Sequence, residues 1–123
     1  MPPDTPAPLH TLTALLARCC QPLDGQDAMS AGEVAAQLAA LPGWQAIDAG
    51  TPRAAIERRF GFPDFHRTMA FVNAVAWIAH AEDHHPDLEL GYAHCTVRYR
   101  THAVGGVSIN DLICAAKVDA LLP

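Results

Sequence analysis

The stretch Glu82–His102 reads EDHHPDLELGYAHCTVRYRTH, with two adjacent histidines before a proline and another histidine at its end, after a run of alternating residues. Because the residue before a proline avoids the α region, a helix that reaches this stretch must end near His85. From Tyr92 to Thr101 the alternation predicts a strand. Its apolar face holds Cys95, Val97 and Tyr99, and its polar face holds His94, Thr96, Arg98 and Arg100. His102 lies just past this strand, where we expect it to come near the helix end.

The segments upstream of this stretch predict a hairpin followed by a long helix. Trp44–Ala49 and Arg53–Phe62 are typical of two strands joined by a turn at Gly50-Thr51-Pro52. The helix that follows Pro63-Asp64 carries apolar residues at steps of three and four, which predicts a stripe that faces the core. The stripe consists of Phe65, Met69, Val72, Ala76 and Ala79, flanked by Val75 and Ile78.

Helix-start signals organise the two ends of the chain. Ser30-Ala-Gly-Glu33 is a capping box and opens a helix that Pro42-Gly43 ends. Ser108-Ile-Asn-Asp111 is a second start signal and opens the last helix. Between Leu9 and Cys19, leucines at helical spacing predict a short amphipathic helix. Residues 1–8 hold four prolines and are expected to lack fixed structure.

The order of these elements predicts an α+β fold, in which helices pack on one face of an antiparallel three- to four-stranded sheet. A length of 123 residues suits one domain with one modest core. We expect residues 1–29 to be an N-terminal extension with a short helix and residues 30–123 to form the domain.

Composition narrows the possible classes of function. Apolar residues make up 50% of the chain, which favours a folded protein over a disordered one. A net charge of −5 argues against nucleic-acid binding, because phosphate contact needs clustered Lys and Arg. The basic pairs Arg58–Arg59 and Arg98/Arg100 lie in predicted strands and are expected on solvated sheet faces. The N-terminal apolar run is too short to span a bilayer, so no membrane association is expected. Four cysteines without a C-x-x-C pair favour a reduced, cytoplasmic protein.

The histidines of the stretch allow three explanations from their local pattern. In a last helical turn, His84 and His85 can cap free carbonyls and complement the helix dipole. His80 and His84 are four residues apart, a spacing that can hold zinc, but no third ligand completes such a site. Acid–base chemistry is favoured because the helix ends before Pro86, so that the histidine side chains can face a cleft, and because His102 is expected near that helix end. Asp111 can orient an imidazole or cap its own helix.

The combined pattern resembles the signature of the pterin-4a-carbinolamine dehydratase family. That signature is H-H-P, a short loop to a tyrosine, a strand, T-H, a glycine-containing turn and an aspartate that opens the last helix. The matching residues are His84, His85, Pro86, Tyr92, Thr101, His102, Gly106 and Asp111. LPGW and RRFGFPDFHRTMAFVNAVAWIAHAE upstream also resemble the family, so the resemblance runs from about Ser30 to Leu122. The family often has a glutamate where this chain has His80, and a tryptophan soon after H-H-P where it has Leu88 and Leu90.

The resemblance implies a lyase that removes water from 4a-hydroxytetrahydropterin (the 4a-carbinolamine) and yields quinonoid dihydropterin, in recycling of tetrahydrobiopterin-type cofactors. It implies that His85 and His102 are the proton-transfer pair, with His84 binding or sharing the role. The residues expected to bind or orient the substrate are Asp111, Pro86, Thr101 and His80. Because imidazole can give or take a proton near neutral pH, we expect no cofactor and no metal.

Family-like proteins also act as a dimerisation cofactor for a homeodomain transcription factor and as assembly factors for ribulose-bisphosphate carboxylase. A binding module with a protein client is therefore the alternative to an enzyme. The retained histidines favour the enzyme, whose partner is a small pterin. Because the edges of a small sheet invite pairing, a homo-oligomer, most simply a dimer, is expected in either case.

Overall fold

The computed structural model describes residues 8–123, which form one four-stranded antiparallel sheet with helices packed against it. The strands are β1 (Gln45–Ile47), β2 (Ala55–Gly61), β3 (Asp87–Leu90) and β4 (His94–Tyr99), in the spatial order β1-β2-β4-β3. The α+β prediction is thereby confirmed. The predicted lack of structure in residues 1–8 concerns, apart from Pro8, residues outside the described range.

Within residues 8–123 four helices accompany the sheet, and the last three begin at the predicted start signals. They are α1 (Leu12–Leu16), α2 (Ala31–Gln37), α3 (Phe65–Glu82) and α4 (Ile109–Asp119), with short 3-10 turns at Leu38–Ala40 and His102–Val104. Ser30 and Ser108 each form the predicted capping box, and Asp64 caps α3 by accepting the Arg67 N–H at 2.8 Å. None of the helices within residues 8–123 is long and apolar enough to cross a bilayer.

The core lies between the sheet and helices α3 and α4. Cys95, Val97 and Tyr99 on β4 are fully buried, as their alternation predicted. Most of α4 is buried as well, because it has the sheet on one side and α1 and α3 on others. On the opposite face of the sheet, Arg98 pairs with Glu57 at 2.8 Å and Glu89 at 3.1 Å, so that face remains polar.

Arg58 departs from the solvated position that its basic pair predicted. It lies half-buried on the same face of β2 as Ile56 and Phe60, where its guanidinium stands 4.6 Å from the centre of the Phe60 ring. Its Nη1 donates to Asp119 at 2.9 Å, and the indole N–H of Trp44 donates to the same oxygen. Burial raises the pKa of Asp119, although Trp44 and Arg58 oppose that rise. The Arg58 guanidinium is thus paired with Asp119 and stacked on Phe60, and these two interactions offset the cost of a charge on the core-facing side of the sheet.

The predicted short first helix is five residues long, and Leu15 is its one buried residue. Two other predicted features of secondary structure were wrong in detail. The buried stripe of α3 is Thr68, Phe71, Val75 and Ala79, whereas Phe65 and Ala76 are exposed. Asp87–Leu90, taken as a loop between the histidine pair and the tyrosine, is the edge strand β3. Phe65 was misplaced because it stacks on Tyr92 outside the core, with ring centres 6.0 Å apart.

Truncation within α4 tests where the core lies. Leu112→Ala should lower the free energy of unfolding by about 2–5 kcal/mol, because a fully buried leucine leaves a cavity when truncated. Leu121→Ala, just past the same helix and 40% exposed, is the matched control and should cost about 1 kcal/mol or less. Urea unfolding followed by circular dichroism measures both. Equal losses in the two variants would contradict the assigned core.

Candidate active site

The candidate site is built on a buried pair between the end of α3 and the start of α4. His84 Nε2 lies 2.6 Å from Asp111 Oδ1, and the two side chains are 12% and 0% exposed. A carboxylate oxygen accepts, so Nε2 carries the hydrogen in this contact and Nδ1 is left available to a ligand. Asp111 therefore fixes both the position and the tautomer of this imidazole.

The second oxygen of the Asp111 carboxylate is held by the strand end and by the helix start. Oδ2 accepts from the Thr101 hydroxyl at 2.8 Å and from the backbone N–H of Ser108 at 2.9 Å. The Thr101 and Ser108 hydroxyls are themselves 2.6 Å apart. With His84 included, three groups contact a carboxylate that has no access to water, which is what a buried charge requires.

The backbone at the end of α3 turns His84 towards this pair. Asp83 adopts the left-handed conformation with φ +50°, which ends the helix, and the His84 N–H bonds back to the Ala79 carbonyl at 3.1 Å. The His84 ring then stacks on Tyr99 of β4, with centres 5.7 Å apart and planes 13° apart. Burial raises the pKa of the Tyr99 hydroxyl, which lies beside the Cys114 thiol without a hydrogen-bond partner of normal geometry.

The other predicted site residues lie around this pair with different exposure. His85 and His102 are exposed, and their rings make no hydrogen bond or ion pair within residues 8–123. His80 is also exposed and lies against Trp77, with ring centres 6.1 Å apart, while Pro86 is half-buried. Of the predicted residues, the structure thus joins His84, Thr101 and Asp111 by contacts and leaves His80, His85 and His102 with free ring nitrogens.

A cavity of about 250 Å³ opens beside His84 and Thr101. Glu82, Asp83 and Asn110 line one part of it, and the segment Cys20–Asp24 lines another. Neither His85 nor His102 belongs to its lining among the described residues, although Ala103 does. The cavity therefore adjoins the paired histidine and receives a wall from the N-terminal part of the chain.

Several contributors to this site were missed by the sequence reasoning. Ser108 was recognised as a helix cap, and Tyr99 as a core residue, but neither was connected with a histidine. Cys20–Asp24 was taken only as part of the N-terminal extension, and no local pattern could reveal its contacts with Glu82 and Asn110, about 60 to 90 positions away. Within residues 8–123, no three His, Cys, Asp or Glu side chains are grouped closely enough to hold a metal ion.

Comparison with known proteins places this chain in a family. Residues 27–121 match the family described as "Pterin 4 alpha carbinolamine dehydratase". A protein of Nitrosospira multiformis provisionally named pterin-4-alpha-carbinolamine dehydratase is 46% identical over 112 residues, covering 90% of this chain and 95% of that one. A protein of Xanthomonas campestris with the same provisional name is 53% identical over 103 residues, covering 83% of this chain and 85% of that one.

Two solved structures are similar in fold. A Brucella melitensis protein described as a transcriptional coactivator/pterin dehydratase has a TM-score of 0.72 and 34% identity, and covers 79% of this chain and 100% of its own. A pterin dehydratase-like protein identified as a RuBisCO assembly factor in the alpha-carboxysome has a TM-score of 0.55 and 25% identity, covering 64% of this chain and 88% of its own.

The two capping serines allow a direct test of the buried network. Ser108→Ala should lower the free energy of unfolding by about 2–3 kcal/mol, because it removes the acceptor of the buried Asn110 N–H and a neighbour of the Thr101 hydroxyl. Ser30→Ala, which removes an exposed cap of the same type, should cost about 1 kcal/mol. Chemical denaturation of both variants measures the difference. A Ser108 variant no less stable than the Ser30 variant would count against the network.

Proposed function

This chain belongs to the pterin-4-alpha-carbinolamine dehydratase family, and we propose that it catalyses the dehydration of 4a-hydroxytetrahydropterin to quinonoid dihydropterin and water. The observation that carries the proposal is the Asp111–His84 pair with two further, unpaired histidines on the adjoining chain segments. The reaction would serve recycling of a tetrahydrobiopterin-type cofactor.

The reaction consists of two proton transfers around one bond cleavage. A base takes the proton from N5 of the pterin, and the electron pair of that N–H bond forms the C4a=N5 double bond. The C4a–O bond breaks as an acid gives the departing hydroxyl a proton, so that it leaves as water. One proton is taken and one is given, so the protein needs only groups that exchange protons near neutral pH, a property of imidazole.

We assign the proton transfers to His85 and His102, because their ring nitrogens are exposed and engaged by no other side chain within residues 8–123. His84 has one nitrogen committed to Asp111, so it binds the substrate or shares the transfer through the other. Asp111 and Thr101 act as positioning residues through that histidine. Pro86 and His80 flank the histidines and complete the proposed substrate-binding set.

A binding function is the second candidate, and the similarity to the RuBisCO assembly factor favours it. The exposed apolar side chains of Trp77, Leu88 and Leu90, on α3 and β3, would suit a protein client. The identity to that factor is 25%, against 46% and 53% for the two curated relatives provisionally named dehydratases, so the enzyme remains the better supported function.

Substitution of the two exposed histidines tests the enzyme proposal. His85→Ala and His102→Ala should each lower the dehydration rate by about 10²–10⁴-fold, equivalent to roughly 3–5 kcal/mol of transition-state stabilisation. Stability should change by about 1 kcal/mol or less, since neither ring is packed in the core. The measurement is ultraviolet detection of quinonoid dihydropterin formed from chemically prepared 4a-carbinolamine, compared with the spontaneous rate.

His66→Ala is the matched control, because His66 is exposed near the opposite end of α3 and should leave the rate unchanged. Wild-type protein no faster than the spontaneous reaction would overturn the enzyme proposal and favour the binding function. Full activity in both His85→Ala and His102→Ala would overturn only the assignment of these residues.

We also propose that the chain forms a homodimer through an edge of its sheet. All four residues of β3 are exposed, including Leu88 at 36% and Leu90 at 46%, and an uncovered edge strand invites pairing. Light scattering at micromolar concentration should give twice the 13.1 kDa chain mass. Leu88→Lys should shift the protein towards monomer, whereas Arg53→Lys on the β1–β2 turn should not. A monomeric wild type would refute the dimer.

A further inference from the structure

The N-terminal segment Cys20–Asp24 lies outside the part of the chain that matches the family, which begins at residue 27, yet it lines the cavity beside His84. Specific contacts hold the segment there. The Cys20 N–H donates to Glu82 Oε1 at 2.8 Å, and the Asn110 amide bonds both the N–H and the carbonyl of Gln21, at 3.2 and 2.8 Å. The segment is therefore a fixed wall of the cavity.

The hydrogen bond from the Cys20 N–H to the Glu82 carboxylate, which anchors the segment, is partly buried and charge-assisted. The Cys20 sulfur lies 3.6 Å from the sulfur of Cys114, and this contact together with burial raises the pKa of Cys114. Burial of Glu82 tends to raise the pKa of its carboxyl. The Cys20 N–H and the Lys117 ammonium, at 3.5 Å, outweigh this effect and hold that pKa below its usual value. Glu82 is thus an ionised anchor whose charge is already paired with Lys117.

Beyond the anchor, a turn carries a carboxylate to the cavity. The Gln26 N–H bonds the Leu23 carbonyl at 3.0 Å, and Gly25 takes the left-handed conformation with φ +79°, which closes the turn around Asp24. The Asp24 side chain is exposed and makes no hydrogen bond or ion pair with the described residues. Asp83 also lines this cavity, and no Lys or Arg lines it within residues 8–123.

We infer that this wall determines which pterins the site accepts, and that Asp24 makes it select pterins with a neutral substituent at carbon 6 over those with an anionic one. The inference rests on the proposed function, since it takes the pterin to lie against the three histidines, with its substituent extending past His84 into this cavity. An anionic substituent would meet the charges of Asp24 and Asp83 with no cation in the lining to offset them. A hydroxylated, uncharged substituent would meet no such repulsion, and its hydroxyls could donate hydrogen bonds to these carboxylates. The hydrogen bonds that join His84, Thr101 and Asp111 do not involve Asp24, so this selection does not depend on them.

Two stable pterins of similar size test the selection by charge. 6-Hydroxymethylpterin is neutral and 6-carboxypterin is an anion at neutral pH, and quenching of their fluorescence measures binding to the full chain. The wild type should bind the neutral pterin more tightly. Asp24→Lys should shift the ratio of the two dissociation constants by about three- to tenfold in favour of 6-carboxypterin, and 1 M salt should reduce that shift.

Asp27→Lys is the matched control, because Asp27 belongs to the same part of the chain and the substitution changes net charge equally, but it lines a different cavity. Its ratio should stay within about twofold of the wild type. An unchanged ratio in Asp24→Lys, an equal shift in Asp27→Lys, or no binding of either pterin would overturn the inference. The dehydration rate of the wild type tests the proposed function separately. An active enzyme whose ratio of dissociation constants is unchanged in Asp24→Lys would therefore refute only the inference about the wall.

Discussion

The buried carboxylate of Asp111 is the constraint on which the rest of the site depends. A carboxylate removed from water is costly unless its oxygens are engaged, and Asp111 has no exposed surface. Its partners come from three places: His84 after α3, Thr101 after β4 and Ser108 at the start of α4. Satisfying one charge thus brings together the end of α3, the end of β4 and the start of α4. The backbone of Thr101 separately pairs with that of Gly106, and this pairing holds the turn between β4 and α4.

This constraint divides the histidines of the site into two kinds. His84 is packed on Tyr99 and committed to Asp111, so its geometry is as fixed as the core. His85 and His102 are exposed, and their rings make no hydrogen bond or ion pair with the described residues. A fixed imidazole suits orientation of a substrate, and exposed ones suit exchange of protons with substrate and solvent. The proposed division of roles follows from this difference in burial and not from the type of residue, which is the same in all three.

Local patterns in the sequence predicted those parts of the fold that local physics determines. The alternation of β4, the capping boxes at Ser30 and Ser108 and the end of α3 near the histidine pair depend on neighbours within a few residues, and all are confirmed. The edge strand β3 was missed because four exposed residues give no contrast between two faces. The face of α3 that packs on the core was misjudged, because Thr68 is buried although it is polar. Its hydroxyl bonds to backbone carbonyls, which a pattern of hydrophobic residues does not reveal. Tertiary contacts decide such cases.

The start of α4 also explains how a segment outside the matched family region can belong to the site. Asn110 and Asp111 are consecutive residues in the first turn of a buried helix. Asp111 holds the histidine after α3, whereas Asn110 holds Gln21 of the N-terminal segment. Because both contacts depend on one rigid turn, the position of the wall relative to His84 is determined by helix geometry. Residues between the anchored Cys20 and Gln21 and the turn at Gly25 can then be substituted without moving His84. Selectivity would reside in the residues of the wall and proton transfer in the histidines, with the first turn of α4 common to both.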